Sequence, residues 1–206
     1  MIGVVKREKK QLTLPRTLPW ILLIGGIIGA LCAAILTVEK MELLKHPDKP
    51  LACDINPIVA CGSVINTDQA AAFGFPNPFI GLVGFGMIIA IGAALLAGAT
   101  FKRWFWIGLQ VGVTFGIAFV TWLQFQSIAR ISALCPFCMV VWSVMIPMFW
   151  YTTLYNIHEG HIRLPKRLRS TGEFLQRHHG DILVGWYLIL IGIILHHFWY
   201  FWKTVL

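Results

Sequence analysis

The stretch LPWILLIGGIIGALCAAILTV, Leu18 to Val38, carries no charged side chain. A helix needs about 20 mostly apolar residues to cross a bilayer, and this run supplies them. Four further runs of the same kind follow: Phe79 to Thr100, Trp104 to Gln126, Leu134 to Tyr155, and Ile182 to Trp202, the last with His196 and His197 near its end. Within hydrocarbon a chain must satisfy its own backbone hydrogen bonds, so each run is expected to be a helix. The fold class expected is an all-α integral membrane protein.

Composition agrees. Of 206 residues, 57% are hydrophobic and 13% charged, with mean hydropathy +0.73. A soluble domain carries roughly a quarter charged residues, so a disordered chain is excluded and the composition argues against a soluble globule. The first run is too long for a signal-peptide core and is not followed by a cleavage pattern, so it is read as a retained helix. Gly108, Gly112 and Gly116, every fourth residue of the third run, are expected to allow close helix packing.

The formal charge of +8 acquires meaning from its position. Lys6, Arg7, Lys9, Lys10, Arg16, Lys102, Arg103, Arg163, Lys166, Arg167, Arg169 and Arg177 fall on one side of five alternating crossings. Lys40, Lys45, Lys49, Arg130 and Lys203 fall on the other. Cytoplasmic connections carry the basic excess. The N-terminus is therefore expected inside and the C-terminus outside, and no nucleic-acid partner is implied. The expected organisation is a basic tail 1–17, a four-span region 18–155 with an outer loop 39–78, a basic cytoplasmic loop 156–180, and a fifth span within 181–206.

A loop of about forty residues is longer than a connector needs and usually carries function. Within it, Asn66-Thr67-Asp68 ahead of Gln69-Ala70-Ala71-Ala72-Phe73 reads as a capped short helix ending at Gly74. With Phe73, Phe75 and Phe79 nearby, this helix is expected to lie flat at the outer interface as a lid.

Cysteine placement carries the functional reading. Cys53 and Cys61 lie in the outer loop, Cys135-Pro136-Phe137-Cys138 opens the fourth span, and Cys32 sits alone in the first. Four of the five thiols thus fall where disulfides persist. A Cys-x-x-Cys at a helix start puts both sulfurs on one face, where unpaired amide donors and the helix dipole favour a thiolate. Pro136 suits the first helical position. Such thiolates exchange disulfides readily. Cys138, one turn deeper, is expected to face the bundle, and Cys135 the wet loop.

Two dithiols on one membrane face read as a relay. The loop pair would take electrons from an external dithiol protein and pass them to the helix pair. The helix pair would pass them to a two-electron acceptor in the membrane, for which a quinone is the abundant candidate. Two other readings stand beside it. The four cysteines could bind one zinc ion, against which the eight-residue spacing argues. Alternatively, both pairs could be staples in a non-enzymatic membrane protein, a channel or an assembly factor.

Cys53-Asp54-x6-Cys61, followed by Val64 and Thr67, then Cys135-Pro-Phe-Cys138 in a hydrophobic helix, resembles the vitamin K epoxide reductase family over residues 18–155. The resemblance implies a four-helix transmembrane bundle around a quinone site, capped by the loop and a short horizontal helix, with the fifth helix added to it. It implies a quinone-dependent dithiol–disulfide oxidoreductase, with no metal and no flavin. Cys138 would react with menaquinone or ubiquinone, Cys135 would exchange with Cys61, and Cys53 would meet the external thiol. Asn77 matches a position that hydrogen-bonds the quinone carbonyl. Trp142 stands where animal members have Tyr, and Phe79 beside Asn77 is assigned to the quinone lining. Thr67 replaces a more usual Ser.

Many bacterial relatives carry a fused thioredoxin-like domain after the fifth helix. This sequence stops at Leu206, so either such a domain has been removed or the expected partner is a separate thioredoxin-fold thiol oxidase, in the cell membrane setting of exported-protein oxidation. Epoxide recycling is not implied.

The remaining polar and aromatic residues receive plainer readings. Cys32 is expected to act as a small hydrophobe, Asp54 to orient the loop or to do nothing, and Arg130 to favour a Cys135 thiolate or to anchor at the interface. His178 and His179 are expected to face solvent, and His196 and His197 to be interfacial. Phe115, Phe119, Trp122 and Phe125 are expected in core packing first and in a quinone lining second.

Overall fold

A computed structural model describes residues 14–46, 51, 53–56, 58–163 and 165–205; most of the basic N-terminal tail lies outside them. The elements are α1 (Leu14–Lys45), α2 (Cys61–Ile65), α3 (Pro78–Leu96), α4 (Arg103–Phe125), α5 (Pro136–His158), α6 (Arg169–Arg177), α7 (His179–His197) and α8 (Trp199–Val205). Five of them, α1, α3, α4 continued to Ile131, α5 and α7, are long and apolar enough to cross a membrane.

Helix α1 packs along α3 and α5, and α4 packs along α5. Glycine on α1 allows the tightest approach. A Cβ on Gly29 would stand 2.5 Å from the Phe85 ring, and one on Gly92 of α3 would stand 2.7 Å from the backbone nitrogen of Leu23. The stripe on α4 behaves differently from its expected role. A Cβ at Gly108 or Gly112 would meet nothing within 4 Å, and only at Gly116 would it press a neighbour, the Met145 methyl. The α4 stripe therefore leaves space beside the helix, while α1 and α3 make the close packing.

The core face of α4 is Trp106, Leu109, Val113, Ile117, Val120 and Gln124. Phe115, Trp122 and Phe125, expected in the core, are exposed. At the end of the bundle away from the cysteines, buried Asn156 donates to Gln110 Oε1 at 2.9 Å, and Gln110 Nε2 donates to Thr153 Oγ1 at 2.9 Å. Polar bonds of this kind tie neighbouring helices where no hydrophobic force distinguishes them from lipid.

Boundaries differ from expectation at two places. The third run was expected to end at Gln126, yet α4 continues as a π-helical turn, Gln126–Ile131, closed by Ser132 at φ 54. The fifth span begins at His179 and breaks at the buried Phe198, beyond which α8 starts. His178 and His179 are half-buried rather than solvent-facing. The His179 ring bonds the Tyr151 hydroxyl at 3.1 Å, and its carbonyl accepts from Trp150 Nε1.

Helix α7 docks on α5 through a specific vacancy in the hydrogen-bond ladder. Pro147 has no N–H to give to the carbonyl four residues earlier. That carbonyl, of Ser143, accepts instead from the Tyr187 hydroxyl of α7 at 2.6 Å.

Two measurements test this packing. Gly92→Ala should lower stability by about 1–3 kcal/mol, because backbone has to move, whereas Gly86→Ala, whose Cβ meets nothing, should be neutral or stabilising by up to about 1 kcal/mol. Tyr187→Phe should cost about 1 kcal/mol in thermal unfolding in detergent. Equal melting temperatures for the two glycine variants would contradict the assigned close approach.

Candidate functional site

Among the described residues, a pair of backbone bonds joins the loop and the head of α5. Val59 and Leu134 form an isolated parallel bridge. Leu134 N donates to Ile58 O at 2.7 Å, and Ala60 N donates to Leu134 O at 3.0 Å. Cys61 follows the bonded segment 58–60 directly and Cys135 follows Leu134. The bridge thus carries both cysteines to one place, and their side chains meet where the two chains turn into α2 and α5.

Cys61 is bonded to Cys53 as a disulfide, and its sulfur lies 3.3 Å from that of Cys135. Cys135 and Cys138 are free thiols. A four-thiolate zinc site is incompatible with the Cys53–Cys61 bond. Around the sulfurs, Leu36, Leu51 and Ile65 close an apolar cluster.

Asp54 fixes the disulfide loop. Its carboxylate accepts from Gly62 N at 2.9 Å and from Leu51 N at 3.3 Å, so it satisfies a free amide in the first turn of α2. Gly62 is glycine for a spatial reason: a Cβ there would stand 2.9 Å from Asp54 Oδ2. Asn56 Oδ1 accepts from Ile58 N and Val59 N, turning the chain into the bridge. Lys40 Nζ, at the end of α1, donates to Ile65 O and closes the far end of α2. Arg130 is exposed and is not among the groups that act on Cys135.

Cys135 precedes α5 as its N-cap and lies outside the membrane-spanning helix. Its thiol is held below the ordinary thiol value, first by donation from the Cys138 side chain, then by the N–H groups of Cys138 and Phe137. Burial works in the opposite direction. The site can therefore hold a thiolate in contact with a disulfide sulfur, the arrangement that exchange requires.

Beneath the sulfurs lies a cavity of about 470 Å³ between α1, α3, α4 and α5, roofed by residues of the 64–70 segment. Cys61, Cys135, Cys138, Asn77, Gln126 and Trp142 all line it. The glycine stripe of α4 makes part of its wall, as do Phe115 and Phe119. Those two aromatics line the cavity rather than fill the core. Phe119 also meets Phe73 of the roof, with ring centroids 5.6 Å apart. Close packing between α3 and α4 is lacking among the described residues, so the cavity's α3–α4 side is not sealed by helix contact.

The vitamin K epoxide reductase family sequence pattern matches residues 20–153. The chain belongs to that family. No curated protein sequence matches it. As a member of the vitamin K epoxide reductase family with five candidate spans and a disulfide beside free thiols, it is a multi-pass membrane thiol–disulfide oxidoreductase.

The structure places the expected residues unevenly. Cys61, Cys135 and Cys138 meet at the cavity roof, with Cys53 bonded behind them. Cys135 does not face a wet loop: it is 1% exposed, because the loop closes over it. Cys53 is 6% exposed, so the loop as it lies covers this sulfur as well. Asn77 lines the cavity, but its carboxamide also holds the roof, donating to Gln69 O at 2.7 Å and accepting from Ala72 N at 3.1 Å. Trp142 is buried in the cavity wall. Phe79 is 42% exposed and lies outside the cavity lining, although its neighbours Pro78 and Ile80 contribute to it.

The expected capped lid helix is a single 3-10 turn, Asp68–Ala71. Thr67 does not cap it, since its hydroxyl donates backward to Val64 O. The turn ends at Ala71, three residues before the expected Gly74, whose φ is 82. Cys32 is buried in α1. Sequence reading missed Ser127, whose hydroxyl donates to Ala133 O at 2.6 Å and holds the approach to Cys135. It also missed Gln126, whose signal was a polar side chain at the end of an apolar span.

The Cys135 environment predicts a pH signature. Cys138→Ser keeps an O–H donor for the Cys135 thiolate, and Cys138→Ala removes it. Attack of Cys135 on Cys61 frees Cys53 and consumes the Cys135 thiol, so a tag added after acid quenching is located on the Cys53 peptide. The rate should fall on acidification at lower pH in Cys138→Ser than in Cys138→Ala. Coincident profiles would contradict the assigned donor.

Proposed function

We propose that the protein oxidises a separate thioredoxin-fold dithiol protein on the extracytoplasmic side of the cell membrane. It passes the electrons through Cys53–Cys61 and Cys135–Cys138 to a membrane quinone, menaquinone or ubiquinone, and so supports disulfide formation in exported proteins. The observation that carries this reading is the 3.3 Å contact between Cys61 and Cys135 at the roof of a cavity that Cys138 also lines.

The exchange steps balance without further reagents. A partner thiolate attacks Cys53, forming a mixed disulfide and releasing Cys61 as thiolate. The partner's second thiol then displaces Cys53. Cys61 attacks Cys135 of an oxidised Cys135–Cys138 pair, releasing Cys138, and Cys53 next displaces Cys135 from Cys61. The loop disulfide is thereby re-formed, and Cys135 and Cys138 are left reduced. This is the thiol pattern of the structure. The quinone, when bound, supplies the acceptor for two electrons and two protons. Cys138 faces it, and Cys135 closes the disulfide again.

The cavity fits such an acceptor. Its volume lies within the range of small-ligand sites, about 300–1,000 Å³, and its wall is apolar apart from a few side chains, the carboxamides of Asn77 and Gln126 and the thiols among them. Asn77 keeps one N–H uncommitted by the bonds described above, and a carbonyl can accept from it. In this reading residues 18–155 form the catalytic four-helix bundle, with the 3-10 turn at its roof lying along the outer interface. The 156–180 segment is cytoplasmic, and the fifth helix within 181–206 returns the chain outward.

Quinone reduction by the purified chain, with a reduced thioredoxin-fold protein as donor, tests the scheme. Cys138→Ala should reduce turnover to background with every donor. Cys53→Ala should lose turnover with the protein donor and keep it with a small dithiol that reaches Cys135–Cys138 directly. If no cysteine variant differs from the parent, the cysteines are staples and the relay is wrong.

A further inference from the structure

Gln126 opens the π-helical turn at which α4 leaves α geometry, a feature common at functional sites. It lines the cavity with Asn77, Cys135 and Cys138. Its Oε1 is buried and has no hydrogen-bond partner in the protein. A buried acceptor left unmet costs folding free energy, so a group in the cavity that donates a hydrogen bond would recover it.

The two carboxamides of the cavity are not equivalent. The oxygen of Asn77 already accepts from Ala72 N, and one of its N–H groups is spent on Gln69 O. Asn77 is thus left chiefly a donor, while Gln126 presents an unused acceptor. The two redox forms of the proposed substrate differ in the complementary sense. A quinone carbonyl only accepts, whereas a hydroquinone hydroxyl donates.

We infer that Gln126 Oε1 accepts a hydroxyl of the hydroquinone product, making Gln126 a residue by which the cavity distinguishes reduced from oxidised ligand. The inference rests on the quinone reading above. In that reaction two S–H bonds of Cys135 and Cys138 are lost and one S–S bond forms. The two electrons and two protons end on the two quinone oxygens. The hydroxyls so created are donors that the cavity did not contain before turnover, and Gln126 answers to one of them.

The test is binding in the full chain carrying Cys135→Ala and Cys138→Ala, which cannot turn over. The probes are 2-methyl-1,4-naphthoquinone and its hydroquinone under anaerobic conditions, followed by quenching of tryptophan fluorescence. Gln126→Met should weaken hydroquinone binding by about tenfold, of the order of one hydrogen bond, and change quinone binding by less than about twofold. Gln126→Glu, which keeps an acceptor oxygen, should restore hydroquinone binding. Ligand-free Gln126→Met should melt no lower than its parent, because the unmet buried acceptor is gone. Equal effects on both redox forms, no effect on either, or a lowered melting temperature would overturn the assignment and leave Gln126 a packing or water-holding residue. Binding of neither form by the parent would instead overturn the quinone reading itself.

Discussion

Two backbone hydrogen bonds between residues 58–60 and Leu134 set the geometry on which everything else at the site depends. They align the chain so that Cys61 and Cys135 follow the bridge on adjacent paths, and the sulfurs meet at 3.3 Å. The bridge is short and would be weak alone, since isolated pairs of this kind gain little in water. It is held from both sides. Asp54 and Asn56 fold the loop strand through four backbone N–H groups. Ser127 and the left-handed Ser132 fold the strand that leads into α5.

The space beneath the bridge follows from an uneven use of glycine. Where α1 meets α3, glycine lets the helices touch, and that contact fixes one side of the bundle. On α4, glycine faces the cavity and removes volume that larger side chains would occupy. Helices packed closely on one side and left apart on the other enclose an apolar space between them. The same arrangement lets Phe115 and Phe119 line the space while Ile117 and Val120 of the same helix fill the core.

The spans and the cysteines were legible in the sequence because both signals are local. A charge-free run of twenty residues needs no partner to be read, and Cys-Pro-Phe-Cys places two sulfurs on one turn by geometry alone. Helix faces were not legible. In a membrane helix the lipid side and the core side are both apolar, so the periodicity that separates inside from outside in a soluble helix is missing. That is why the aromatics of α4 were read as core packing before lining, although Phe115 and Phe119 line the cavity, why its glycines were assigned to close packing, and why Phe79 was assigned to a wall that Pro78 and Ile80 make. Helix α2 and the Val59–Leu134 bridge were illegible for another reason: each depends on a residue distant in sequence, Lys40 for one and Leu134 for the other. The docking of α7 was legible in part, since Pro147 announces a free carbonyl, but not the tyrosine that finds it.

Burial of Cys53 imposes an order on the proposed chemistry. In the structure the loop disulfide faces inward, with Leu51 and Leu36 packed beside it, and the helix thiols are reduced. A partner protein cannot attack a sulfur that is 6% exposed. Electrons would therefore enter only when the loop moves outward, and that movement separates Cys61 from Cys135. Closed, the loop couples the two pairs; open, it couples the first pair to the partner. One loop cannot do both at once, so in this scheme a partner protein exchanges with the first pair alone. The bonds of Asp54 cross the Cys53–Cys61 span itself, so they can travel with the loop as a unit. The bonds to Leu134 and Lys40 bind that unit to the bundle, and in this scheme they are the ones that have to break.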